Sequence, residues 1–526
     1  MVDSTSFDVI IIGGGITGVG TARDCALRGL KVLLLEKADL TNGASGRNHG
    51  LLHSGARYAV TDTESASECI RENTIIRRIA SNCVEQTGGL FITLPQDDLQ
   101  YQAEFIARCK AAGIDARETD PAEARRLEPS VNPSLIGAVR VPDASVDPFR
   151  LASANALDAV SHGAVIRTYC EVLSLIREGG AVVGVEYRDL QKNETVGVYA
   201  PITINAAGIW GQRIAAMAGC EIRMLPAKGS LLVFGHRVNR MVINRCRKPA
   251  NADILVPGDV VCVIGTTSDK VGLDECDDIR VTPREVDLLL REGCSLAPEL
   301  EHTRILRAYG GVRPLVASDD DPTGRSTSRG IVLLDHETRD GVAGFISITG
   351  GKLTSYRLMA EQTTDLVCRK LGINRKCTTA IRPLPGSEKH STPDKELSIA
   401  FKAAEGRHGS LIQKMDFSLK SEVLCECEHV TRAEIAYAVK NLGVRTMLDL
   451  RRRTRVGMGT CQGAFCIKRV AQALAQELGC PEKEREFIDE YIQERWKGMT
   501  PVCWGESLRE AEYMRNQIGK NGKDEI

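Results

Sequence analysis

Four β-branched residues, Val9 to Ile12, run straight into Gly13-Gly14-Gly15-Ile16-Thr17-Gly18, and few folds can use such a junction. Gly13, Gly15 and Gly18 occupy the G-x-G-x-x-G positions. The first makes a tight turn, the second lets the backbone approach a pyrophosphate, and the third lets the next helix pack closely on the strand. A helix through Cys25 and Leu27 leads to a second strand, Lys31 to Leu35, which ends on Glu36, 18 residues beyond Gly18. A carboxylate at that distance reaches ribose hydroxyls, while the helix start offers N–H groups and a positive dipole end to phosphates. Residues 7–37 are therefore predicted to form a strand–helix–strand unit that binds a dinucleotide.

The 526 residues allow roughly three domains at about 150 residues each. Lys and Arg number 68 against 69 Asp and Glu, a net charge of −1 without the basic excess of a nucleic-acid binder. The N-terminus has no basic region ahead of its first strand and does not read as a signal peptide. The longest apolar runs, such as Val9–Ile12 and Leu33–Leu35, fall far short of the ~20 residues a spanning helix needs. A soluble protein is expected, touching membranes only through a partner or a surface patch. Most of the 18 cysteines are scattered singly in apolar patterns and read as small buried hydrophobes.

To about residue 375 the chain mixes β-rich stretches with amphipathic helices. Dinucleotide-type signals fall at about 1–75, 160–215 and 340–375. The segments between them, about 75–160 and 215–340, carry no cofactor signature and read as a substrate domain. Residues 376–420 shift to Lys, Ser, Pro and Gly and read as a linker. A compact helical module follows at 421–480, then a helical tail at 481–526. On this reading the module is separable, and a chain stopped near residue 415 is expected to fold alone.

Beyond Lys37 comes a run of small and polar residues, Thr41-Asn42-Gly43-Ala44-Ser45-Gly46-Arg47-Asn48-His49-Gly50-Leu51-Leu52-His53-Ser54-Gly55-Ala56-Arg57-Tyr58. It resembles the flavin-facing loop of the D-amino-acid-oxidase superfamily. Asn205-Ala206-Ala207-Gly208-Ile209-Trp210 is similar to the strand and turn that return to the adenine–ribose half. Gly350-Gly351-Lys352-Leu353-Thr354-Ser355-Tyr356-Arg357 is similar to the turn whose amides meet the flavin pyrimidine carbonyls and so stabilise the charge of reduced flavin. With Tyr309-Gly310-Gly311-Val312-Arg313-Pro314-Leu315 and Ser328-Arg329-Gly330, these motifs resemble FAD-dependent glycerol-3-phosphate dehydrogenases along the full length.

That resemblance implies a Rossmann-like α/β domain of the superfamily with an interleaved α+β substrate domain. It implies FAD, held by Gly13, Gly15, Ile16, Thr17, Gly18, Glu36, Lys37, Ser45, Asn48, Gly50, Val172, Ala206, Gly208, Gly351, Lys352, Leu353 and Thr354. It implies oxidation of sn-glycerol 3-phosphate to dihydroxyacetone phosphate by hydride transfer to FAD. A phosphomonoester needs multidentate cations, the strength of arginine. By resemblance Arg57, Arg313 and Arg329 surround the substrate and Lys352 sits at the flavin edge. The proton of the C2 hydroxyl needs a base. Single-subunit relatives carry a histidine after Lys-Gly-Ser, whereas here Lys228-Gly229-Ser230 is followed by Leu231. His53 becomes the candidate. Two other readings stay open: an FAD enzyme oxidising an amine or amino acid, and a non-catalytic electron-transfer component.

Four cysteines stand apart, Cys425-Glu426-Cys427 and, 33 residues on, Cys461-Gln462-Gly463-Ala464-Phe465-Cys466. Four thiolates suit zinc or an iron–sulfur cluster, but a C-x-C pair is uncommon in zinc modules. A capping box at Thr431–Glu434 predicts one helix, a second is predicted from about Gly463, and Gly457-Met458-Gly459-Thr460 is a loop that lets amides reach sulfur. The arrangement resembles the bacterioferritin-associated-ferredoxin type of [2Fe–2S] domain, making Cys425, Cys427, Cys461 and Cys466 the metal ligands. Arg451, Arg452, Arg453 and Arg455 are expected to offset cluster charge, dock a partner, or form a solvated face. The resemblance further implies two partner subunits, one carrying a second flavin and one an iron–sulfur protein that anchors to the membrane and feeds quinone. It places the chain at the cytoplasmic face of the cell membrane.

Overall fold

The computed structural model describes residues 6–317, 330–388, 398–417 and 422–519. Val9–Ile12 is an inner strand of a six-stranded sheet, paired in parallel with Ile202–Asn205 on one side and Val32–Leu35 on the other. Val165–Arg167 extends the sheet beyond Val32–Leu35 in parallel, and Phe345–Gly350 beyond Ile202–Asn205; Ile331–Asp335 closes that edge antiparallel. Val9–Ile12 and Val32–Leu35 are apolar at every position because both faces are covered. Val9, Ile11, Val32 and Leu34 face one core, formed with helices Ile16–Leu27, Pro148–Ser161 and Tyr356–Leu371. Ile10, Ile12, Leu33 and Leu35 face the other, under a three-stranded antiparallel sheet spanning Cys170–Tyr199.

The glycine turn is held by steric necessity. Gly13 has φ +112°, and a Cβ built on Gly18 would lie 1.9 Å from the Gly13 carbonyl oxygen. Helix and strand can meet this closely only without a side chain there.

The segments between the dinucleotide parts combine into a nine-stranded sheet. Its spine is the long antiparallel pair Met224–Phe234 and Ile305–Val316, which sets Gly229 opposite Gly311 and Ala227 opposite Arg313. Gly89–Thr93 joins from the earlier segment by pairing in parallel with Val242–Arg245. Pro148–Ser161, within the segment read as substrate domain, packs instead on the helix that follows the glycine turn.

The described residues of 376–420 are more than a connector. Ile399–His408 is a helix, and Ala404, Leu411, Ile412 and Met415 share a small core with Tyr437 of the cysteine module. Arg407 donates two hydrogen bonds to buried Glu434, at 2.9 and 2.7 Å, and His408 lies 3.0 Å from the same carboxylate. Burial alone would raise the Glu434 carboxyl, but the Arg407 charge overrides it and holds the pKa at about 2, against an ordinary 4.5. A depressed carboxylate pKa means stability that is present above pH 4.5 and lost as pH falls toward 2. The pair is expected to contribute about 3 kcal/mol that vanishes across this window. Urea unfolding at pH 6 and pH 3 checks this, since Glu434→Gln should flatten the dependence.

The module itself carries helices Arg432–Asn441, Met447–Thr454 and Ile467–Leu478 beside a two-stranded hairpin. The capping box forms as expected, with Thr431 and Glu434 bonding reciprocally. The helix read as starting near Gly463 begins at Ile467. Gln462 and Gly463 take φ of +49° and +80° against the Tyr491 ring, and so interrupt it. Helix Glu484–Met499, read as tail, supplies Phe487, Ile488 and Tyr491 to the module core and lies on strand Ile305–Val316.

The arginine run is turned inward on the chain itself and is not a solvated face. Arg452 and Arg453 both pair with buried Asp39, just beyond the second strand, at 3.0 and 2.5 Å. Arg455 reaches Asp259 at 2.8 Å and Glu428 at 3.1 Å. The Asp39 pairs clamp the module onto the dinucleotide domain, and the Asp259 pair ties it to the substrate domain. A chain stopped near residue 415 would lose both cations of Asp39 and uncover the surface on which the module packs, so it is expected to be less stable than the full chain.

Candidate active site and cysteine cluster

A cavity of about 1190 Å³ runs from the glycine turn to the spine of the large sheet. At one end lie Gly13, Gly15, Ile16 and Thr17, with Glu36, Lys37, Val172, Ala206 and Gly208 around them. Helix Ile16–Leu27 opens on Gly15 with no side-chain cap, and Ser45 Oγ accepts from the Ile16 amide at 2.9 Å. Glu36 does more than line the wall: its carboxylate accepts from the Gly14 amide at 2.6 Å and the Ala38 amide at 2.9 Å. Burial raises this carboxyl, against the pull of the two amides.

Ser45, Asn48, Gly351, Lys352 and Leu353 also line the cavity. Three residues expected here serve from behind. Gly18 sits in the helix–strand contact, Gly50 takes φ +73° on a second cavity, and buried Thr354 accepts from the His53 amide at 3.2 Å. The Cβ-free turn and helix-start amides as donors, with the Glu36 carboxylate as acceptor, fit a dinucleotide.

At the far end the cavity collects His53, Arg57, Arg313 and Lys352. His53 stands between His49 and Tyr58, with ring centroids 6.2 and 5.4 Å away. Lys352 Nζ lies 4.7 Å over the Tyr58 ring. Arg313 donates to the Thr267 carbonyl at 2.9 Å and to Thr266 Oγ1, which aim its guanidinium along the strand edge. Arg57 is held at 3.1 Å by buried Asp253, whose other oxygen binds Arg247 at 2.8 Å. Arg329 lies outside the described residues. Leu231 is fully buried in the spine strand. A Cβ built on Gly265 would lie 3.0 Å from Leu231 and 3.7 Å from the His49 ring, so the imidazole at this wall comes from the flavin-facing loop.

Sequence reasoning missed Lys248, which lines the cavity, and Thr266 and Thr267, which orient Arg313. Arg247-Lys248-Pro249 was a visible signal, but short basic runs are usually solvated. The two threonines carry none.

The four thiols converge. Cys425 and Cys427 sulfurs are 3.8 Å apart, and Cys427 and Cys461 sulfurs 3.7 Å. S–H groups of Cys427 and Cys466, then the amides of Gly457 and Glu428, hold the Cys425 thiol down to about 3. The same thiols with the amides of Phe465 and Gly463 hold the Cys461 thiol down to about 2. Cys427 and Cys466 are pushed up by the thiolates beside them. Such a set can be fully ionised only around positive charge, which suits metal ligation. A Cβ on Gly459 would lie 2.6 Å from the Cys427 sulfur, so the loop approaches as bare backbone.

Comparison with known proteins agrees with both sites. The family described as FAD dependent oxidoreductase matches residues 8–357, and the BFD-like [2Fe-2S] binding domain matches residues 423–476. A component of the anaerobic glycerol-3-phosphate dehydrogenase of Escherichia coli (strain K12) is 60% identical over 521 residues, covering 98% of this chain and 96% of that protein. Its counterpart in Haloferax volcanii is 44% identical over 520 residues, covering 95% and 88%. Among solved structures, the glycerol-3-phosphate dehydrogenase from Bacillus halodurans complexed with FAD superposes with a TM-score of 0.70 at 23% identity, covering 96% of this chain and 97% of that one.

Proposed function

Because the chain belongs to the FAD-dependent oxidoreductases, among the subunits of anaerobic glycerol-3-phosphate dehydrogenases, we propose that it oxidises sn-glycerol 3-phosphate to dihydroxyacetone phosphate and passes the electrons to its own [2Fe–2S] module. The observation that carries this reading is one continuous cavity with a dinucleotide turn at one end and His53, Arg57, Arg313 and Lys352 at the other. FAD, when bound, supplies a two-electron acceptor for hydride and releases electrons singly, which matches a one-electron cluster.

In this reading Arg313 and Arg57, with Lys248 of the same cavity, bind the substrate phosphate. Arg313 is the stronger partner, since Asp253 already holds Arg57. His53 accepts the proton of the C2 hydroxyl, and Lys352, poised over Tyr58, stabilises charge at the flavin edge. Cys425, Cys427, Cys461 and Cys466 would hold the cluster.

The relatives are named as subunits, so the chain is one component of a larger enzyme. Among the described residues no helix is long and apolar enough to cross a membrane. Delivery to quinone completes the proposal. It runs through two partners at the cytoplasmic face of the membrane, one carrying a second flavin and the other a membrane-anchoring iron–sulfur protein.

Anaerobically purified protein should contain FAD, two irons and two sulfides per chain. Glycerol 3-phosphate should bleach the visible flavin band and then reduce the cluster. Stoichiometric zinc in place of iron, or a flavin that proline or glycine reduces and glycerol 3-phosphate does not, would overturn the reading.

A further inference from the structure

A second cavity, of about 730 Å³, lies on the other side of the flavin-facing loop. Asn42, Arg47, Asn48 and His49 form the wall shared by both cavities, while Arg307, Arg451, Met458 and Gln462 line only the second, which thus lies between the two cofactor regions. One corner brings together Arg47, Arg307 and Arg451 from three separate elements, with Glu494 the carboxylate beside them.

The charge there does not balance. Glu494 pairs with Arg307 at 2.9 Å. Among the described residues neither Arg47 nor Arg451 makes a side-chain hydrogen bond or an ion pair. Arg307 is 7% exposed, and its Nε, like that of Arg451, is a buried donor without an acceptor. Burial and the mutual repulsion of these cations pull Arg451 down to about 10 and lower Arg47 as well. The opposite wall has no such excess, since Arg150 and Arg455 meet Asp259 at 2.6 and 2.8 Å. Guanidinium groups taken out of water without counter-charge are costly, and planar multidentate donors are the usual answer to a phosphate or similar oxyanion.

We propose that this arginine corner is a binding site for a phosphate-type dianion, separate from the substrate pocket and placed between the flavin-facing loop and the iron–sulfur module. The ligand is inorganic phosphate or a small phosphomonoester. When filled, the site sets negative charge between the two redox centres, so electron transfer within the chain responds to phosphate.

The test uses the full-length holoprotein carrying Arg313→Met, which removes the principal phosphate ligand of the substrate pocket and makes this site independent of the catalytic reading. Inorganic phosphate and glycerol 2-phosphate are titrated by calorimetry against chloride at matched ionic strength. We expect one site per chain, with affinity falling about tenfold or more in Arg451→Gln and partly retained in Arg451→Lys. Binding of the inorganic ion alone identifies phosphate as the ligand, and tighter binding of the ester identifies an organic phosphate. If neither binds more strongly than chloride, or if Arg451→Gln binds as the parent does, the proposal fails. The arginines would then serve only as counter-charge to the cofactors.

Discussion

His53→Asn is expected to slow flavin reduction by glycerol 3-phosphate by roughly 10²–10⁴-fold, the usual contribution of a positioned general base, while FAD content stays near normal. The case is geometric. His53 lines the cavity with Arg313 and Lys352, and its backbone amide is tied to Thr354 on the facing turn, which fixes where the ring begins. Leu231, where single-subunit relatives carry a histidine, cannot take a proton and is buried in the spine strand. Asparagine keeps much of the volume and a polar group, so the loop should hold its shape. Stopped-flow reduction under anaerobic conditions measures the effect directly. The informative rival is His49, which reaches the wall beside Leu231. If His53→Asn reduces flavin at nearly the parent rate and His49→Asn does not, the base belongs to the other end of the loop.

Arg313→Met should cost on the order of 2–5 kcal/mol in transition-state binding, or roughly 30- to several-thousand-fold in kcat/KM for glycerol 3-phosphate at 1.4 kcal/mol per decade. Thr266, Thr267 and the backbone of the paired strand orient the guanidinium before substrate arrives, so little of its interaction energy is lost in ordering it. Unphosphorylated glycerol has no charge to lose and should be affected far less. Arg57→Met should cost less than Arg313→Met, because Asp253 already satisfies part of that charge. Equal losses for glycerol and its phosphate would make Arg313 a structural residue, engaged mainly with the strand edge.

Much of the dinucleotide half was legible because its signals are local. A β-branched strand, glycines spaced for a turn and a tight helix contact, and a carboxylate one crossover later each act within a few residues. The burial of Val9–Ile12 on both faces follows from that unbroken apolar run. The four cysteines were legible for the same reason: metal ligation demands particular atoms, and the spacing of those atoms along the chain is visible. The arginines of the substrate pocket were not readable from composition, since 68 basic residues are mostly solvated, and only motif resemblance separated Arg57 and Arg313 from the rest.

What the chain alone determined, then, is the cofactor turn, the cysteine set and the family to which both belong. What only the tertiary structure decided is how the parts meet. The Pro- and Lys-rich stretch read as a linker carries a docked helix, and the C-terminal helix completes the module core through Phe487, Ile488 and Tyr491. Arg452 and Arg453 find Asp39 more than four hundred residues away, and Arg451 ends in an internal cavity beside Arg47 and Arg307. No local pattern marks such contacts. A charged side chain reads the same in sequence whether it will meet water or a buried carboxylate, and the difference is set by which surfaces the rest of the fold brings against it.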